Sequence, residues 1–215
     1  MQNGENTKNH PFSIDGHLTV CYNNNRTGGE KMSTTFPGTT IEVLELKKSS
    51  SRQLFDGIFA TGGLTLSQVS LMTGLEPYLI QNWVKRGFVG SPKKRVYSRN
   101  QFSRIVIINM LREALQIEKI CDLIRVISGV LDDESDDLIS ADELYHTYVD
   151  LISEGRIDLS SKGSVLAASD LAASGYSKND TESQKRISKI LQIMLYAHAA
   201  SQLRKKADEI FSTLD

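Results

Sequence analysis

The chain is short of cysteine, of excess charge of either sign, and of long apolar runs. Its only cysteines, Cys21 and Cys121, stand a hundred residues apart with no Cys-x-x-Cys spacing. That excludes a cysteine-based zinc site and a disulfide framework, and fits a reducing cytoplasm. Lys and Arg number 25 against 26 Asp and Glu, for a net charge of −1. No whole-molecule field therefore draws the protein to nucleic acid or to an anionic surface, and any such attraction must be local. The opening MQNGENTKNHPFSIDGHLTV has neither a charged n-region nor an apolar h-region, and no later run approaches the ~20 residues of a membrane span. The expectation is a cytoplasmic protein that is neither exported nor membrane-bound. No phosphate-cradling glycine loop, His-Glu-x-x-His pair or nucleophile elbow occurs, so neither an enzyme nor a cofactor is expected.

What is present falls into three regions. Residues 1–50 are rich in Asn, Gly, Thr and Ser, with apolar residues too scattered to cover a core. They read as a flexible, largely disordered arm, in which TTIEVLEL at 39–46 alternates like a short strand without an evident partner nearby. Residues 51–130 carry strong helix signals. Thr65 with Gln68 forms a capping box, and Gly74 stands where a left-handed residue ends a helix. Pro77 opens a second helix and Gly87 closes it. Ser98 with Gln101 caps a third, running to about Leu115 despite four consecutive β-branched residues. A fourth spans about Ile117 to Ser128, with Ile117, Ile120, Ile124 and Ile127 on one stripe, and Ser140 with Glu143 opens another. Residues 131–215 read as an α-helical region with an acidic linker and a long terminal helix. The fold class is mainly α.

The helix after Pro77 divides its residues between two faces. Leu79, Ile80, Trp83 and Val84 cover one side; Trp83 is the sole tryptophan and anchors it. Tyr78, Gln81, Asn82 and Lys85 follow the i, i+3, i+4, i+7 spacing and present hydrogen-bonding tips on the other. Side-chain amides pair in bidentate fashion with adenine in the major groove, and a lysine reaches phosphate or guanine. After Gly87, FVGSPKKRVY has the length of a two-stranded hairpin, or wing, with Lys93, Lys94 and Arg95 near its tip. From Pro77 to Arg104 there are seven basic residues, Arg86 and Arg99 among them, and no acid. An ordinary solvated helix face is the plainer account of the amides. The coincidence of charge exclusion, a tight helical turn and a wing favours reading of double-stranded DNA by Tyr78, Gln81, Asn82, Lys85, Arg86, Lys93, Lys94, Arg95 and Arg99.

These residues carry a resemblance. TGLEPYLIQNWVKRGFV resembles the turn and second helix of the MerR-like winged helix-turn-helix proteins, with their T-G-V-x-x-x-T-I-R-Y-Y-E-x-x-G-L pattern, and Arg95-Val96-Tyr97-Ser98 is similar to the end of their wing. QNWVKRG, KKRVYS, INMLRE and LDDESDDLIS are more closely similar to a bacterial family known as domain of unknown function 1836, over about residues 64–152. The resemblance implies a DNA-binding transcriptional regulator. It places the MerR base-contacting arginine at Gln81, its first aromatic at Asn82 and its buried aromatic at Trp83. Glutamine at 81 implies a different operator. It also leaves open a second reading, an adaptor that uses a winged scaffold to bind another protein.

Other constellations point elsewhere or nowhere. Asp132, Asp133, Glu134, Asp136 and Asp137 crowd one segment, but Asp137 stands where a calcium loop needs glycine, so no metal is expected. His146 and His198 lie in helical patterns with no second ligand at useful spacing. At the chain's end, Thr181 with Gln184 reads as a capping box. Ile190, Met194, Ala197, Ala200, Leu203, Ala207, Ile210 and Leu214 recur at steps of three and four along one helix of about 30 residues. Leu191, Ile193 and Leu195 fall outside that stripe, which suits burial of the first half on several sides. The second half suits a partner helix, and the expectation is a homodimer that sets two reading helices against two half-sites. The MerR resemblance implies the same through that family's C-terminal helical dimers.

Overall fold

A computed structural model describes residues 19–20, 34–127, 137–154, 157–176 and 180–214. Among them eight helices are separated by very short strands: β1 (Thr19–Val20), β2 (Thr34–Thr35), β3 (Glu42–Val43), α1 (Ser50–Ile58), β4 (Leu64–Thr65), α2 (Leu66–Thr73), α3 (Pro77–Lys85), β5 (Val96–Tyr97), α4 (Arg99–Leu111), α5 (Ile117–Ile127), α6 (Ala141–Glu154), β6 (Ile157–Asp158), α7 (Lys162–Ala173) and α8 (Thr181–Phe211). The strands form three antiparallel pairs, β1 with β6, β2 with β3 and β4 with β5. The chain is mainly α, and none of its described helices is long and apolar enough to cross a membrane.

The core is built around α4. Phe102, Ile105, Val106, Ile107, Ile108, Met110 and Leu111 are all buried, the pattern of a helix enclosed on every side. That enclosure explains why a β-branched run stays helical. Local propensity against the helix is worth a few tenths of a kcal/mol per residue, whereas burying each such side chain stabilises by about 1.5–3 kcal/mol. The cap starts it as the sequence indicates: Ser98 N–H donates to Gln101 Oε1 at 2.9 Å, and Gln101 N–H to Ser98 Oγ at 3.2 Å. α4 ends at Leu111 rather than near Leu115, where the N–H groups of Ala114 and Leu115 turn back to the Leu111 carbonyl.

Residues 34–49 do not form part of the expected arm. Residues 34–49 pack onto the core: Phe36 and Leu46 are buried, Asn109 donates to the Gly38 carbonyl at 3.0 Å, and Tyr145 Oη donates to the Pro37 carbonyl at 2.9 Å. A Cβ on Gly38 would lie 2.4 Å from the Val106 carbonyl oxygen, so this close approach to α4 requires glycine. The strand expected within 39–46 does have a nearby partner, since β3 pairs with β2 only seven residues upstream. The rest of the arm lies outside the described residues, apart from Thr19–Val20.

Two caps at the other end also bear on the sequence reading. Ser140 Oγ accepts from Glu143 N–H at 3.4 Å, with Ile139 and Leu144 buried on either side. The Glu143 carboxylate does not return to the cap; it takes Arg52 at 2.8 Å. At α8, Thr181 is the first helical residue and Asp180 is the cap, accepting from Glu182 N–H at 3.0 Å. The Gln184 side chain is drawn instead to the carbonyl of Tyr176, at 3.1 Å, so no Thr181–Gln184 box forms. Of the acidic linker, Asp132, Asp133, Glu134 and Asp136 lie outside the described residues.

Candidate functional site

The site begins with a pair of short helices whose ends are dictated locally. Thr65 N–H donates to Gln68 Oε1 at 2.8 Å and Gln68 N–H to Thr65 Oγ1 at 3.4 Å, which starts α2. Gly74 stops it in the left-handed region at φ 69°, a conformation costly for a residue with a Cβ. Leu75 is buried in the turn, and Pro77 opens α3 where its missing N–H leaves nothing unpaired. α3 closes on a Schellman motif: Gly87, at φ 72°, donates to the Val84 carbonyl at 3.0 Å, and Phe88 N–H to the Trp83 carbonyl at 2.8 Å. Phe88 and Trp83 are both buried, supplying the apolar contact that accompanies this motif.

The two faces of α3 separate as the spacing predicts. Ile80 and Trp83 are buried, and Leu79 and Val84 are partly buried against the core. Tyr78, Gln81, Asn82 and Lys85 are all exposed, Tyr78 at 69%. An exposed tyrosine on a helix whose opposite face is fixed by a buried tryptophan is a rigid aromatic reaching into solvent. The described side-chain hydrogen bonds leave the Gln81 and Asn82 amides unengaged with other side chains, so this face faces water with its donors and acceptors.

The segment after α3 differs from the expected wing. Phe88–Tyr97 does not fold as a two-stranded hairpin: Phe88 and Val89 are buried, Val96–Tyr97 pairs with Leu64–Thr65, and only the bridge between Lys93 and Val96 closes the tip. Val96 N–H donates to the Lys93 carbonyl at 3.0 Å across Lys94 and Arg95, whose φ values are 52° and 64°. Positive φ at both central residues is the type I′ pattern, which Asn-Gly satisfies most easily. Two consecutive long cations held there cost on the order of 1–2 kcal/mol each. Lys93, Lys94 and Arg95 are exposed, so the turn presents three charges in a small, stiff space.

Arg86 and Arg99 do not belong equally to this surface. Arg86 is exposed, stacks 4.4 Å from the Phe88 ring centroid and lies 3.4 Å from Glu118, so it borders the face with part of its charge answered. Arg99 leaves the set. Its guanidinium donates to Asp56 at 2.6 Å and to His146 Nε2 at 3.0 Å, and its Nε stands 3.3 Å from Asp142. It joins α4 to α1 and α6, and its charge is taken up inside the molecule. Arg104, in the same acid-free run, is buried. Both were indistinguishable from surface cations in the sequence, because the groups that engage Arg99 lie more than 40 residues away in each direction.

His146 completes that internal network. Arg99 can only donate, so His146 Nε2 accepts and Nδ1 carries the proton toward Ser51 Oγ, 2.9 Å away. Burial, reinforced by the Arg52 and Arg99 charges, holds its pKa down to about 4. A Ser–His contact has the look of a nucleophile and its base, but both residues are fully enclosed and the far nitrogen meets a guanidinium rather than a carboxylate. The pair ties α1 to α6. His198 is likewise buried, between the Tyr148 hydroxyl and Gln202, with burial depressing its pKa to about 4. Among the described residues no cluster of His, Cys, Asp and Glu could hold a metal ion.

Residues 62–148 match the family described as Domain of unknown function (DUF1836), a span that runs from the approach to β4 through α2, α3, the Lys93–Val96 turn, α4 and α5 into α6. No curated protein and no solved structure matches the chain.

Proposed function

We propose that the protein binds double-stranded DNA sequence-specifically, as a transcriptional regulator of winged helix-turn-helix type. α2 and α3 form the helix-turn-helix and the Lys93–Val96 turn serves as a minimal wing. The observation that carries this reading is the pairing of an exposed Tyr78–Gln81–Asn82–Lys85 face with Lys94 and Arg95 in left-handed conformations. A turn that needed only to reverse the chain would take Asn-Gly there. Cations at a conformational cost are what a phosphate-contacting loop requires. α3 is nine residues long, about 14 Å, and fits the ~12 Å width of a major groove end-on or aslant.

In this reading Lys93, Lys94, Arg95 and Lys85 meet phosphates, Gln81 and Asn82 meet base edges, and Tyr78 packs at the groove wall. Replacing Lys93, Lys94 and Arg95 together by alanine is expected to weaken binding to all DNA sequences alike and to lower the slope of log K against log salt by up to about three, with each lost phosphate contact contributing ~0.9. Filter binding over a salt series measures this; unchanged affinity would remove the turn from the interface. Gln81→Ala and Asn82→Ala are expected instead to relax discrimination at one or two base pairs by about 1–3 kcal/mol, read by selecting bound sequences with each variant. If both variants select the parent's sequence, α3 is not the reading element.

An adaptor role would use the same exposed face against a protein. Binding of that kind need not collapse as salt rises, which separates the two.

A further inference from the structure

Arg86 stands where α3 meets α5. It caps the C-terminal end of α3, its N–H donating to the Asn82 carbonyl at 2.9 Å, and lies one turn beyond Asn82 along the same edge of the helix. The Schellman turn that follows fixes its backbone. Its guanidinium lies 4.4 Å from the centroid of the buried Phe88 ring, a platform that steadies the stem and leaves the N–H edge toward solvent. Among the described residues that edge meets one acceptor, Glu118 Oε1, 3.4 Å from Nη2. The contact is longer than the ~2.7–2.9 Å usual between guanidinium and carboxylate, and both side chains are exposed, Arg86 at 46% and Glu118 at 68%. The cations of the interior are held more closely, Arg99 by Asp56 at 2.6 Å and Arg52 by Glu143 at 2.8 Å. Asp122, one turn along α5 from Glu118, is taken by Arg125 at 2.6 Å, so of these two acids Glu118 is the one that answers Arg86.

We infer that Glu118 stands in for a DNA phosphate: it holds Arg86 in the free protein and gives it up when a duplex brings a phosphodiester to the edge of α3, an exchange that rests on the DNA reading of α3. A carboxylate and a phosphodiester present a guanidinium with acceptor oxygens of the same charge, and either is met by the same fork of N–H donors. An exposed pair of this kind is weak, because water and salt screen it, so one anion displaces the other readily. The Phe88 stack holds the stem in both states, and a change of partner needs only the guanidinium to turn. Glu118 keeps its own place when Arg86 leaves, since it lies in the first turn of α5, where a helix N-terminus favours negative charge. The competition lowers affinity for every duplex alike, because a phosphate contact carries no sequence. Glu118 is thereby a built-in restraint on one cation of the DNA-binding surface.

The exchange is tested by measuring affinity for genomic DNA fragments over a salt series with the parent chain, Arg86→Gln, Glu118→Gln and the double variant. Glutamine at 86 keeps a stem over Phe88 without the charge, and both positions are exposed, so all four chains should unfold at the same urea midpoint. Arg86→Gln is expected to lower the slope of log K against log salt by ~0.9, the share of one phosphate contact. Glu118→Gln is expected to tighten binding about two- to fivefold at physiological salt, the worth of an exposed ion pair. In the Arg86→Gln background the same substitution is expected to change affinity by less than about 1.5-fold, because a carboxylate more than ~8 Å from the phosphates is screened at that salt. An unchanged slope for Arg86→Gln would mean that Arg86 stays on Glu118, and would overturn the exchange while leaving the DNA reading of α3 intact. So would an equal gain from Glu118→Gln in both backgrounds, the mark of plain charge repulsion, or a loss of affinity, the mark of a carboxylate that positions Arg86 for DNA. A parent chain that binds no fragment at low salt would overturn the DNA reading and the exchange together.

Discussion

Trp83→Ala is expected to lower stability by about 3–5 kcal/mol, the largest effect of any single change on α3. Trp83 is 3% exposed, sits in the core beside Ile80 and Phe88, and its carbonyl receives the Phe88 N–H that closes the helix. Domains of this kind are stable by about 5–15 kcal/mol in all, so the loss is a large fraction of the whole. Lys85→Ala, two residues along and exposed, should change stability by less than about 0.5 kcal/mol. Thermal or urea unfolding of the two variants measures the contrast. Equal stabilities would contradict the burial of the Trp83 face of α3.

The second large effect is on pH dependence. Both buried histidines have folded-state pKa values held down to about 4, by burial first and, at His146, by Arg52 and Arg99. In the unfolded chain each titrates near 6.5. Between those values the unfolded state binds protons that the folded state does not, so stability falls as pH drops from about 6.5 toward 4 and is fully present above 6.5. Each histidine contributes on the order of 3 kcal/mol over that window. Urea unfolding at pH 7 and at pH 5 should therefore show a marked loss at the lower pH. His198→Gln, which keeps a side chain able to meet Tyr148, should remove about half of the slope. A stability that stays level from pH 7 to pH 5 would contradict the buried, neutral histidines.

How much of this was legible in the sequence depended on range. The boxes at Thr65 and Ser98, the stops at Gly74 and Gly87 and the Pro77 start are all set within five residues, and each recurs in the structure. The division of α3 into a Trp83 side and a Gln81 side follows from helical geometry alone. What was hidden is held from a distance. Residues 34–49 read as an arm because their apolar residues are too few to cover a core by themselves; Gly38 approaches Val106 and the Pro37 carbonyl accepts from Tyr145, on helices much further along the chain. Val96–Tyr97 took Leu64–Thr65 as its strand partner, some thirty residues upstream, where local spacing suggested Phe88 onward. Arg99 counted as a surface cation until Asp56, Asp142 and His146 closed round it. At α8 the sequence points to Thr181 as the cap, whereas Asp180 caps by accepting from Glu182 N–H and the Gln184 side chain donates to the Tyr176 carbonyl. On α8, burial separates the covered Ile190, Leu191, Met194 and Leu195 from the exposed Ile193 and Tyr196, a division that apolar spacing alone does not make.

DNA binding by α3 and the Lys93–Val96 turn through phosphates and base edges is tested by the affinity of the 215-residue chain for genomic DNA fragments across a salt series. The expected result is binding at low salt that weakens linearly in log K against log salt, by about tenfold or more for each doubling of salt if four or more phosphates are met. Retention of a subset of fragments at higher salt is the mark of sequence reading. No binding at low salt, or binding indifferent to salt, would contradict it and assign the exposed face of α3 to a protein partner.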